Sequence, residues 1–143
     1  MKVDILPADL NYLLCERVSY IPTPSLQCLA AYTVNEDGTR QIHGIVGMDN
    51  WSSNSVQVHI AIENPFCARS LVKATCQYAY DNDRKILIGQ VSSKNEKALK
   101  FDKGIGFKEL FRIKDAISLG DDIVIMRMDL DSSCRWIEFK DAA

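Results

Sequence analysis

The sequence predicts an α+β domain on a central twisted mixed sheet, with an antiparallel meander followed by a β–α–β unit and helices on both faces. Three observations carry this prediction. Residues 26–63 fall into three strand-like runs joined by short turns. Residues 65–81 carry apolar residues at helical spacing between two strand-like runs, the pattern of a right-handed crossover between parallel strands. Lys85–Arg112 then reads as strand, polar turn, short helix, glycine corner and strand. At 143 residues the chain is expected to form one domain, residues 1–143, large enough for a real core.

Taken in order, Met1–Leu6 is a short first strand. Pro7-Ala8-Asp9-Leu10 opens a helix to about Val18, because proline is tolerated in a first turn and an acid suits that end. Leu10, Leu13, Leu14 and Val18 form its apolar stripe. Two prolines make Ile21–Ser25 a loop. Leu26–Val34 is a strand, Asn35–Gly38 a hairpin turn with the Asp-Gly signal, and Arg40–Trp51 the return strand. Ser55–Glu63 alternates cleanly: Val56, Val58, Ile60 and Ile62 point one way, and Gln57, His59, Ala61 and Glu63 the other. Asn64 is placed as an N-cap and Pro65 as the first residue of a helix to about Asp81. Leu71, Val72, Thr75, Cys76 and Ala79 should face the sheet.

Lys85–Val91 is the next strand, stopped by Ser92 and Ser93. Asn95–Lys103 reads as a helix with Ala98, Leu99 and Phe101 on its apolar side, ended by Gly104 and Gly106. The last strands are approximately Phe107–Ile113 and Asp122–Met128, joined by Lys114–Asp121. Ser132–Phe139 is expected to form a final helical turn that packs Trp136 on the domain.

Hydrophobic content of 47% and charged content of 25% are those of an ordinary soluble globular chain. A net charge of −2 gives no electrostatic footprint for nucleic acid. The apolar runs are too short to span a membrane, and the N-terminus lacks the apolar region of a signal peptide. Five cysteines, an odd number without C-x-x-C spacing, argue against a disulfide framework and against a zinc site. The expectation is a reduced, cytoplasmic protein with neither nucleic acid nor membrane as partner, and with thiols buried as small hydrophobes.

The stretch Val91–Phe107 resembles the late core motif of the GNAT acyltransferase superfamily: a strand ending in valine, then N-x-x-A-x-x-hydrophobic-Y-x-x-x-G-F. Asn95, Ala98, Phe101, Gly106 and Phe107 fall on the matching positions. Roughly Ser55–Arg127 is compatible with the family's order of core elements. The tail, with Arg112, Asp115, Ala116, the Gly120–Asp129 run and Cys134-Arg135-Trp136, resembles short GNAT-like chains encoded by tailed bacteriophages. The resemblance implies a GNAT-like sheet and an acyl-CoA-dependent N-acyltransferase. Acetyl-CoA is then the co-substrate, and an amine on a small molecule or protein attacks the thioester directly. If the chain is phage-encoded, its place is the host cytoplasm.

The resemblance also implies roles for residues. It puts the cofactor's pyrophosphate at the N-terminus of the Pro65 helix, where helix amides favour anions. Backbone amides of Cys67, Ala68, Arg69 and Ser70 would serve there, with the Arg69 side chain adding charge. The family's Q/R-x-x-G-x-G/A loop is replaced by Asn64–Ser70, which has no glycine. The pantetheine arm would lie between Ser55–Glu63 and Lys85–Val91, against Ile60, Ala61 and Ile62. Asn95 matches a position that contacts this arm, with Ala98 and Phe101 beside it; its plain alternative is a helix cap. Asp102 stands where the family has a tyrosine that protonates the leaving thiolate. A carboxylate is ionised at neutral pH unless strongly desolvated, and the alternative is a solvent-facing helix aspartate.

Candidate general bases are His59, Glu63 and His43, with a half-exposed strand histidine as the alternative for His59. Cys67, at a helix N-terminus, has a position that lowers a thiol pKa, though no histidine partner is identifiable. The missing glycine loop and tyrosine support a second reading, a GNAT-fold chain without catalysis that acts as a binding or host-modulating module. An edge strand near the C-terminus leaves a homodimer open.

Overall fold

A computed structural model describes residues 1–139 of the chain. Seven strands form one sheet in the order β1-β2-β3-β4-β5-β7-β6. Strands β2 (Gln27–Val34), β3 (Arg40–Asp49) and β4 (Ser55–Ile62) make the antiparallel meander that the turn signals predicted, and β1 (Lys2–Ile5) adds antiparallel to β2. Helix α2 (Ala68–Asp81) crosses over to β5 (Ile86–Ser92), which pairs in parallel with β4. Helix α3 (Glu96–Ile105) leads to the hairpin β6 (Lys108–Ser118) and β7 (Asp121–Asp129). Strand β7 inserts between β5 and β6, so β6 is left on the open edge.

The two faces are covered by different elements. On one face α2 and α3 bury Leu71, Val72, Cys76 and Leu99 against Val46, Val56, Leu87 and Met126. On the other face Leu14 packs with Leu6, Leu26, Cys28 and Ile45. The alternation of β4 explains the split: Val56 and Val58 belong to the α2 face, and Ala61 to the Leu14 face.

Four expectations are corrected. The predicted helix 7–18 is only a 3₁₀ turn at Ala8–Leu10 and one turn of helix, α1 (Tyr12–Cys15). Tertiary contacts override its periodicity. Leu14 is seated over Gly47, where a Cβ would stand 2.2 Å from Leu14 Cδ2, and the chain beyond is pulled onto Asp49 by residues 20–25. Gly104 lies inside α3; the helix ends at Gly106, whose φ of +123° is open to glycine and strained for other residues. The connection 114–121 is mostly strand, with the turn confined to Leu119-Gly120. Ser132–Phe139 forms turns rather than a helix. Asp131 accepts from Ser133 N, Arg135 donates to Gly104 O at 2.7 Å, and Trp136 Nε1 donates to Ile105 O at 2.7 Å. The last two bonds satisfy carbonyls at the end of α3, and Trp136 is buried as expected.

Candidate functional site

The site arises where the parallel pair comes apart. Pairing of β4 with β5 runs only through Ser55↔Ile86, Val56↔Leu87 and Gln57↔Ile88. Beyond it β4 stays paired to β3 and β5 stays paired to β7, so the sheet opens in a wedge. The facing edges of Val58–Ile62 and Gly89–Ser92 have no strand between them. A hollow of about 180 Å³ fills the wedge, bounded by His59 and Ile60 of β4, Gly89 of β5, and Asn95, Ala98 and Asp102 of α3. On the α1 face, a wider hollow of about 540 Å³ also borders His59 and Asn95, and reaches Arg17, Tyr20, Ile117 and Ile123. On the opposite face, a hollow of about 300 Å³ lies between the starts of the tail and of α2, against Arg69, Phe101, Arg135 and Trp136.

Two titratable side chains border the central hollow. Asp102 is 7% exposed, and burial pushes its carboxyl up to about 6. The expectation of a solvent-facing helix aspartate is therefore overturned. The side chain lies over Gly89 of β5; a Cβ there would stand in ordinary contact, 3.9 Å from Asp102 Oδ2. His59 stacks on Tyr20 with ring centroids 3.8 Å apart. Its Nε2 is buried without a hydrogen-bond partner, and burial lowers its pKa below the ordinary histidine value, against an opposing field from Asp49. Burial thus favours the neutral imidazole, with Nε2 left unpaired inside the protein.

The Tyr20 ring is itself held in place. Its phenol donates to Asp49, which also accepts from Thr23 N at 2.8 Å, the Thr23 hydroxyl, Ser25 Oγ at 2.8 Å and Asn50 N at 2.8 Å. Burial alone would raise the Asp49 carboxyl; the bonds from Thr23, Tyr20 and Ser25 outweigh it and hold it well below the usual carboxylate range. Burial, then the Asp49 bond, raises the Tyr20 phenol. Tyr20 and Asp49 were not singled out in the sequence. The available signal was an aspartate closing the apolar run Ile45–Met48, a buried position that demands donors.

The other anticipated residues divide. Ile60, Asn95 and Ala98 border the wedge. Asn95 is also the predicted cap, its Oδ1 accepting from Ala98 N at 3.1 Å. Phe101 and Ala68 border the outer hollow with Arg69. Ala61 packs on the Leu14 face, and Ile62 lies against the Gly44 backbone, so neither meets the wedge. Glu63 lies past the end of β4, half exposed and paired with Arg17. His43 Nε2 is bonded to Thr33 Oγ1 at 2.7 Å, a structural role. The Cys67 thiol is buried, with Sγ 3.5 Å from His43 O, and burial raises its pKa, contrary to the expected lowering.

The start of α2 also departs from expectation. Asn64 is a cap, accepting from Phe66 N at 3.0 Å through its side chain. The amide of Cys67 donates to Asn64 O at 3.1 Å, and that of Ala68 to Pro65 O. These amides are used within the 3₁₀ turn Pro65–Cys67 and do not face outward as a phosphate cradle. Exposed Arg69 and Ser70 remain, and Arg135 of the tail borders the same hollow as Arg69. Among the described residues, no group of three or more His, Cys, Asp or Glu side chains could hold a metal ion. No helix among them is long and apolar enough to cross a membrane.

No family model matches the sequence, and no curated protein matches it. Solved structures do match. Spermidine/spermine N-acetyltransferase SpeG from Vibrio cholerae superimposes with a TM-score of 0.70 over 90% of this chain and 92% of that one, at 12% identity. The N-acetyltransferase PseH of Campylobacter jejuni gives 0.60 over 76% of this chain and 71% of that one, at 18% identity. The likeness is one of fold, and it includes nearly the whole length of the Vibrio enzyme. The chain has the fold of the GNAT N-acetyltransferases.

Proposed function

We propose that this chain is an acyl-CoA-dependent N-acyltransferase that moves an acetyl group from acetyl-CoA to an amine. The observation that carries the reading is the wedge between β4 and β5, bordered by a neutral histidine and by a carboxyl of raised pKa. The unpaired edges of β4 and β5 suit an extended thioester arm, with Ile60, Asn95 and Ala98 alongside. The nucleotide end fits through charge: Arg69 and Arg135 would hold phosphates beside Phe101 and Trp136, since the amides of Phe66, Cys67 and Ala68 are engaged internally. In the reaction the amine nitrogen attacks the thioester carbonyl carbon and the carbon–sulfur bond breaks. His59 takes the proton lost by the amine. Asp102, in its acid form, gives a proton to the departing thiolate, the role for which its burial prepares it.

The cytoplasmic setting belongs to this reading, and a phage origin rests on the resemblance of the tail. The homodimer belongs here too: β6 keeps Leu110, Phe111 and Ile113 exposed on its open edge, and sedimentation measures the assembly. The single-domain organisation of residues 1–143 is likewise part of the proposal. Calorimetric titration of CoA-free protein with acetyl-CoA tests the central claim. Micromolar binding, weakened by Arg69→Ala and by Arg135→Ala, is the expected result. Absence of binding up to millimolar concentration would overturn it and favour the non-catalytic binding module.

A further inference from the structure

Resting on the transferase reading, we infer that the acceptor is a monoamine with an apolar body and no second cationic centre. The wider hollow on the α1 face borders His59, so an amine that approaches this ring has its body there. Among the described residues, none of the side chains bordering this hollow is a carboxylate. The carboxylates nearby are already engaged. Glu63 is paired with Arg17, Asp49 is enclosed by Tyr20, Thr23 and Ser25, and Asp121 accepts from Ser92 Oγ at 2.6 Å and Ser93 Oγ at 3.3 Å. Asp102 is the exception, and it borders the inner hollow on α3, where the reacting amine and thioester meet.

The outer walls have the opposite character. Val18, Val91, Ile117 and Ile123 give apolar surface, while Ser19 and Gln90 give neutral hydrogen-bonding groups. Arg17, the one charged side chain on the border among the described residues, is itself paired with Glu63. A second ammonium on the acceptor would leave water for a border that offers no carboxylate among the described residues, which is unfavourable. An alkyl or aryl body would instead cover the valine and isoleucine side chains. Ile117 is half exposed at the far end of β6, so the β6–β7 hairpin sets the acceptor's character from a place remote from the chemistry.

The test compares hexylamine, phenethylamine and leucinamide with hexamethylenediamine and spermidine, following thiol release from acetyl-CoA, with acetyl-CoA titrated calorimetrically in the same preparation. The expected result is a kcat/KM for hexylamine at least about tenfold above that for hexamethylenediamine, a chain of the same length with a second ammonium. Ile117→Glu, a change at an exposed position, should reduce or reverse that ratio while leaving acetyl-CoA affinity unchanged. If acetyl-CoA binds and the diamine or spermidine is used as well as the monoamines, or none of the monoamines is turned over, the inference is overturned and the transferase reading stands. If acetyl-CoA does not bind, the transferase reading fails and this inference falls with it.

Discussion

Asp102 shows how burial can convert an ill-suited residue into a usable acid. In water its carboxyl would be ionised far below neutrality; beneath α3 it is pushed up to about 6. The acid form is lost as pH rises through that value, so kcat/KM should fall on the alkaline side of about 6. Burial depresses His59 below the ordinary histidine value, and its protonation should define the acid limb. Asp102→Asn should lower kcat roughly 10–100-fold and remove the alkaline limb from the pH–rate profile. A profile unchanged in the Asn variant would exclude Asp102 from proton transfer. Tyr20→Phe should cost about 1–3 kcal/mol in denaturant unfolding, because Asp49 loses a donor inside the protein. Neither residue was legible as part of a working site from its neighbours in sequence. Asp102 has the helical position of a surface residue, and what buries it is the packing of α3 on β5, which sets its carboxyl over Gly89, thirteen residues earlier on another element.

At the scale of elements, α3 and α1 meet the site in different ways. The capping side chain Asn95 also borders the wedge, and the two roles are separable. Asn95→Ala should cost about 1 kcal/mol of stability through loss of the cap. Asn95→Asp keeps the acceptor oxygen, so stability should be retained while acetyl-CoA affinity changes, measured by thermal unfolding and calorimetry side by side. Helix α1 depends on contact rather than on propensity. Gly47→Ala would place a methyl group 2.2 Å from Leu14 Cδ2, displacing α1 and loosening residues 16–25 that wall the cleft. The expected loss is about 1–3 kcal/mol, read from the denaturant midpoint. The length predicted for this helix failed for the same reason: its apolar stripe was visible, but the pull of Asp49 on residues 20–25 was not.

For the molecule as a whole, the ionisation of Asp102 couples the site to folding. Its folded pKa lies near 6 against about 3.9 in an unfolded chain, so the folded state binds the proton more tightly. The associated stabilisation is fully present below about pH 3.9 and is lost as pH rises through about 6. At pH 8 the buried carboxylate then costs about 3 kcal/mol relative to its neutral form. Asp102→Asn should therefore raise the unfolding temperature at pH 8, with the gain shrinking towards pH 4. An equal effect at both pH values would show that the carboxyl is not perturbed in the folded protein. The proposed proton donor is thus destabilising wherever it is ionised.

The sequence by itself determined the order and type of most elements, the meander, the crossover and the cap at Asn95. These follow from local physics: side-chain alternation, helical spacing, and turn and cap residues act over a few positions. It also carried the motif that resembles the GNAT acyltransferases. Tertiary structure alone decided the opening of β4 from β5, since pairing with β3 and β7 holds the strands apart from outside. It also decided that Asp102 is buried, that Tyr20 is locked between Asp49 and His59, and that the amides of Phe66, Cys67 and Ala68 are spent. Burial and pairing depend on residues far apart in the chain, and a proton's affinity for its site depends on both.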